Sequence, residues 1–169
     1  MAAHHEAGHA VITIVLGCDF KEVAVGPTRA ECYTEGEQRF QLPRPGPDGL
    51  SPEDRSRVEN EMVQLLAGPF AEERFTGKTI TQAEKIGRAG IPDDDWHKFW
   101  RCAGALQSSE ETAALHDRSR ALVKTNWDSI EAVAAALIAR RVITAGEVRE
   151  LISSALRDDV AGQDDGPET

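Results

Sequence analysis

Apolar residues recur at helical spacing along most of the chain, and the first such stretch sets the reading frame for the rest. Residues 10 to 17, AVITIVLG, form an apolar run that Gly17 can terminate, so a buried first helix is predicted from about Ala2 to Leu16 with Gly17 as its C′ residue. Lys21 to Val25 (KEVAV) alternates with β-branched residues and reads as a strand, with Glu31 to Thr34 as its partner across a Gly26-Pro27 turn. Residues 41 to 49, QLPRPGPDG, are too rich in Pro and Gly for anything but a loop, read here as a flap. Ser51-Pro52-Glu53-Asp54 then combines an N-cap, a first-turn proline and dipole-favoured acids. It predicts a helix through Val58, Met62, Leu65, Leu66 and Phe70 to about Phe75, kinked at Pro69 and closed by Gly77.

Residues 76 to 94 read as loop. A helix from about Asp93 to Leu106 follows, with Trp96, Phe99, Trp100 and Ala103 expected on its inner side. Three later helices are signalled by Ser/Thr-x-x-acid starts at Ser108 and Glu111, Thr125 and Asp128, and Thr144 and Glu147. The last stretch, 158–169, is polar and acidic and predicts a disordered tail after one domain over 1–157. The fold class expected is mainly α (α+β), with a small β element after the first helix.

Composition narrows the function. The chain has 169 residues, 40% hydrophobic content and a formal charge of −10, with a pI near 5.0. A core of ordinary size is therefore affordable, while a nucleic-acid binder would need the basic patch that is missing. No apolar run approaches the ~20 residues that span a bilayer, and no basic signal sequence leads the chain, so no membrane association and a cytoplasmic location are expected. Cys18, Cys32 and Cys102 form neither a CxxC pair nor a disulfide framework, and are read as reduced thiols.

Against this background the start of the first helix stands out. Within HHEAGH, residues 4 to 9, His5, Glu6 and His9 make an H-E-x-x-H pattern. Residues i and i+4 share a helix face, so two neutral imidazoles can reach one Zn²⁺ without further folding, and a carboxylate between them sits beside the water that the metal acidifies. A solvated helix end would also carry such residues, but this helix continues as an apolar core element, where polar groups need a partner. A catalytic zinc takes three protein ligands. Asp95 is the best third candidate, heading a helix whose next residues are large and apolar; the alternative is that Asp93, Asp94 and Asp95 only cap that helix.

HEAGHAVITIVLG, LAGPFAEERFTG at 66–77, DDWHKFWRCAGAL and the segment NWDSIEAVAAALIARRVITAGEVRELI together resemble the peptidase domain of the FtsH-like ATP-dependent zinc metalloproteases. The resemblance covers most of residues 4–156. It implies a helical, zincin-like peptidase domain holding one Zn²⁺ per chain on His5, His9 and Asp95, with Asp94 as the neighbouring alternative, and with Glu6 as general base in peptide-bond hydrolysis. That family joins this domain to an AAA motor and a membrane anchor. Neither is recognised here, and Gly77-Lys78-Thr79 resembles only the end of a P-loop because the upstream glycine position holds Glu72, so ATP independence is expected.

Glu72 is a candidate to orient His5 or His9 through the outer ring nitrogen, or else a surface acid on an amphipathic helix. His4 lies about 100° off the ligand face and reads as a bystander; His97 and His116 read as surface residues, with His97 kept as a spare ligand because it is close to Asp95 in sequence. A peptide or unfolded protein is the expected partner, its strand adding to the sheet edge near Val23, Ala24 and Val25. The rival readings are a catalytically silent zinc-stabilised domain that binds a partner, and a zinc amidohydrolase acting on a small substrate.

Overall fold

The computed structural model describes residues 1–26, 30–33, 40–46 and 49–161. Its elements in chain order are α1 (Ala2–Val15), β1 (Glu22–Val25), β2 (Ala30–Tyr33), α2 (Pro52–Thr76), α3 (Gln82–Ala89), α4 (Asp95–Leu106), α5 (Ser109–Thr125), α6 (Trp127–Arg140), β3 (Val142–Thr144) and α7 (Ala145–Ala161). This is a mainly α arrangement with one small sheet, as the hydrophobic pattern predicts. The Gly26-Pro27 turn, Thr34, Cys32's side chain and 162–169 lie outside the described residues, so the tail expected after 157 is represented by its first four residues, which continue α7 to Ala161.

α1 ends as its glycine predicts. Gly17 adopts φ +74, its N–H bonds Ile14 O at 2.9 Å, and Cys18 N–H reaches Thr13 O at 3.0 Å, so a left-handed C′ residue closes the last turn. α2 starts on Ser51, whose Oγ accepts the Asp54 N–H at 3.1 Å, and stops at left-handed Gly77. It runs continuously through Pro69, which deprives the Leu65 carbonyl of its usual donor without ending the helix. From Leu65 to Ala71 every α2 residue is buried, making it the central helix, with α1 on one side and α4 and α5 on others. Phe40, Leu42 and Leu50, at the ends of the stretch read as a flap, pack on the core.

Four expectations are corrected. Residues 76 to 94 are not all loop: α3 forms there, its Thr81 hydroxyl accepting the Glu84 N–H while Glu84 accepts the Thr81 N–H. It is eight residues long and fully buries none of them, with only Ala89 against the core, so its apolar pattern is short. α4 starts at Asp95, because Asp93 turns left-handed (φ 68) and Asp94 caps. On α4 the buried face is Trp96, Phe99, Cys102 and Leu106; Trp100 falls beyond its edge and is 45% exposed. Thr125 ends α5 and caps nothing. Asn126 makes the break, its side-chain amide donating to Leu122 O at 2.8 Å.

The sheet corrects a fifth. Its order is β2-β1-β3, all antiparallel, with Val23 opposite Cys32 on one side and Ile143 on the other. β3, a three-residue strand between α6 and α7, was not expected, and it makes β1 the central strand. Val23, Ala24 and Val25 therefore present no free edge, and Val23 and Val25 point into the core. An added strand would have to pair with β2 or β3.

α1 and α2 approach so closely at Gly8 that a Cβ there would lie 2.6 Å from Ala67 O and 2.8 Å from Ala71 Cβ. Both obstacles belong to the facing helix and cannot rotate away. Gly8→Ala is expected to destabilise the fold by about 1–3 kcal/mol by prising the helices apart. Gly104→Ala, on α4 with open space around it, should instead stabilise by up to about 1 kcal/mol through helix propensity. Urea unfolding of both variants checks the pair; equal effects would mean that α1 and α2 are not in this contact.

Candidate metal centre

His5 and His9 stand one turn apart on α1, their side chains 16% and 15% exposed, and Asp95 comes to them from the first turn of α4 with 16% exposure. His5 Nε2 lies 3.1 Å from His9 Nε2 and 3.0 Å from Asp95 Oδ2, and His9 Nε2 lies 3.3 Å from that same oxygen. The outer nitrogens are both engaged. His9 Nδ1 meets the Gln64 carbonyl of α2 at 2.8 Å, and His5 Nδ1 meets Glu72 Oε2 at 3.3 Å. A carbonyl only accepts, and so does an ionised carboxylate, so each Nδ1 carries the hydrogen and each neutral ring presents a bare lone pair at Nε2.

Three electron-pair donors thus converge on one point with no proton of their own between them, an arrangement that needs a cation. Ligands at about 2.0–2.1 Å from a tetrahedral Zn²⁺ lie about 3.3–3.4 Å from one another. The observed edges of 3.0, 3.1 and 3.3 Å are that triangle with slight contraction. Two imidazoles and one carboxylate are also the donor set of an open, three-ligand zinc site. Without an ion the same demand falls on protons. Burial disfavours a charged His5, but its bonds to Asp95 and Glu72 overcome that and raise it to about 9, and Asp95 likewise lifts His9 against its burial. Asp95 is itself buried, yet the His9 charge and the His5 hydrogen bond hold its carboxyl well below the usual range.

The local sequence explains why Asp95, not its neighbour, faces the cluster. Asp94 is spent as the N-cap, accepting Trp96 N–H at 2.9 Å and Arg88 Nε–H at 3.0 Å. Asp95 is the next residue, one step round the helix, and Trp96, 1% exposed, anchors the turn in the core. Glu6 is 6% exposed, and its charge bears on both imidazoles.

The other histidines are elsewhere. His4 is buried against Phe75, ring centroids 3.7 Å apart, and burial lowers its pKa. His97 Nδ1–H donates to Ala89 O, tying α4 to the end of α3, and His116 sits edge-on to Phe70.

Three contributors were invisible to pattern reading. Gln64 supplies a backbone oxygen, which any residue has; its side chain is held by Thr13 and Cys18. Glu61, one turn earlier on α2, is raised to about 6 by burial, with Asp95 adding to the shift and Lys98 and His9 opposing it. Gly68 matters by what it lacks: a Cβ there would lie 2.3 Å from His9 Nε2 and 2.8 Å from His5 Nε2. A glycine beside a proline in a buried helix is the one signal that could have drawn attention to it.

Comparison with known proteins gives a partial likeness. No protein-family model matches the chain. The chain is similar to a zinc metalloprotease. Over 90% of its length it is 29% identical to the ATP-dependent zinc metalloprotease FtsH 2 of Symbiobacterium thermophilum. It spans 30% of that relative's length, so the likeness concerns one part of a much longer protein. Among the described residues no helix is long and apolar enough to cross a membrane.

Gly68→Ala is expected to lower zinc affinity at least as far as His9→Ala, because the added methyl occupies the space of the ligand nitrogens. Asp95→Asn should weaken binding by at least about tenfold, as losing a charged donor does. Competition against a fluorescent zinc chelator measures all three; full affinity in Gly68→Ala would mean that the two imidazoles do not converge in front of this residue.

Proposed function

We propose that the chain is a zinc-dependent metallopeptidase that cleaves peptide bonds in unfolded or flexible segments. The observation that carries this reading is the convergence of His5 Nε2, His9 Nε2 and Asp95 Oδ2 at zinc-ligand spacing, with Glu6 following His5 on α1 and acting electrostatically on both imidazoles. The similarity to a relative named as a zinc metalloprotease supports the choice of a peptide as substrate.

When bound, Zn²⁺ supplies a Lewis acid for the scissile carbonyl and brings the pKa of a water to about 7. The rest falls to the chain. Gln64 O and Glu72 fix the tautomers and orientations of His9 and His5, so both rings keep Nε2 free for the ion. Glu6, next to His5 and buried, takes the water's proton on its carboxylate and returns it to the leaving amine nitrogen. A structural zinc site closes with four protein ligands and gives a base nothing to do.

The recess also bears on substrate choice. Donors about five-sixths buried accept only a backbone that can be drawn down to them, which an extended, unpaired segment allows and a folded surface does not. The nucleotide dependence in the relative's name is a property of that protein.

Glu6→Gln is expected to keep stoichiometric zinc and lose about 10²–10⁴-fold of the rate on a casein-like unfolded substrate. Parallel metal analysis and fluorescent-peptide release make the test. Undiminished turnover in this variant would remove Glu6 as the base, and a zinc-loaded wild type inactive across a broad peptide library would leave a partner-binding role in its place.

A further inference from the structure

On the side of α2 that faces α5 lies a second feature unrelated to the metal centre. A cavity of about 330 Å³ opens between the end of α2, the turn after Gly77 and the last turns of α5. Its walls carry Arg74, Arg120 and Lys124, and Glu73 is the single acid among the lining residues. Such a convergence of cations is unexpected in a chain with net charge −10. Helix C-termini favour basic residues, which accounts for Arg74 and Lys124 each being in a last turn. Arg120 stands one turn before Lys124 on the same face of α5, and the packing of α2 against α5 brings Arg74 to the cavity that these two line.

The charges do not cancel. Arg120 Nη1 lies 3.0 Å from Glu73 Oε2, and the other Glu73 oxygen accepts the Ile80 N–H at 2.8 Å, so that carboxylate is committed. Arg74 and Lys124 make no ion pair among the described residues, so the lining carries two formal positive charges beyond those paired with side-chain carboxylates. Both guanidinium groups are held by their faces: Arg74 lies 4.7 Å over Trp127 and Arg120 lies 4.2 Å over Phe70. Stacking occupies the face of a guanidinium and leaves its N–H edge free to donate. Phe70 and Val123 supply an apolar wall beside these donors.

From this geometry we infer that the cavity binds a small organic phosphate monoester. Such a group carries about −1.5 to −2 charges at pH 7, complementary to the two cations without a carboxylate partner, and its oxygens suit the forked donors of arginine. The volume is at the small end of the usual ligand range of about 300–1,000 Å³, enough for a phosphate and a compact apolar body against Phe70 and Val123. Glu72 and Glu73 point to different faces of α2, so this site is separate from the imidazole cluster, and the inference does not rest on the metallopeptidase reading.

Phenyl phosphate is the probe, titrated into the zinc-loaded, ¹⁵N-labelled protein and followed by calorimetry and amide shifts. One-to-one binding is expected, with shifts at Gly77, Thr79 and Val123 rather than at Gly68. Arg74→Gln and Lys124→Gln, both at exposed side chains, should each weaken it by about tenfold or more, as loss of one charge-assisted hydrogen bond does. Phenol should not bind, and inorganic phosphate should bind more weakly than phenyl phosphate. No saturation by about 10 mM, equal affinity in the Arg74→Gln/Lys124→Gln double variant, shifts confined to the metal centre, or inorganic phosphate binding as tightly as phenyl phosphate would each overturn the assignment.

Discussion

The structure depends on the close approach of α1 and α2. At Gly8 the facing backbone of Ala67 leaves no room for a methyl group, and at Gly68 the imidazole nitrogens themselves fill the space a methyl group would take. Two helices meeting through small residues bring backbone and ligand atoms within reach that ordinary packing, with axes about 8–10 Å apart, keeps separate. Without the first contact α2 would stand off from α1, and His9 could not reach the Gln64 carbonyl. The second contact is what turns a helix crossing into a binding site.

That contact also explains why the cluster tolerates burial. Two imidazoles and a carboxylate in a recess would repel or go unsatisfied as bare acceptors, a state costing several kcal/mol. The chain offers two escapes, a proton or a metal ion, and His5 and His9 are raised and Asp95 lowered in the direction that favours a shared positive charge. Gln64 O and Glu72 tip the balance by fixing the hydrogen on the outer nitrogens. The nitrogens facing Asp95 are then free to share an ion, which two protonated rings pointing at each other could not do comfortably.

Much of this was legible before any coordinates. Spacing alone placed His5 and His9 on one helix face, and an acid ahead of Trp96 suggested Asp95, because a large apolar residue in the first turn must drag its neighbour to the edge of the core. What remained hidden had no side-chain signature. β3 is three residues long and exists because β1 offers it a free edge, a tertiary fact. α3 carries a capping box but spans only eight residues and sets only Ala89 against the core, so it offers little more than two turns of apolar pattern to read. Gln64 acts through its carbonyl, and Gly68 through an absent methyl. The substrate edge expected at Val23 to Val25 failed for the same reason as β3: strand order cannot be read from a strand's own residues.

The last turns of α2 show how one helix can serve two sites without confusing them. Glu72 and Glu73 are consecutive, so they point about 100° apart, one toward His5 on the α1 side and the other toward Arg120 and the Ile80 N–H on the α5 side. Glu73 is 6% exposed, and a carboxylate so buried is held firmly by its partners, since removing either would strand a charge in the core. It therefore clamps this turn from the side. With this turn of α2 clamped, Glu72 stays aimed at His5, and the orientation of a metal-facing imidazole comes to rest on an ion pair about 100° round the same helix.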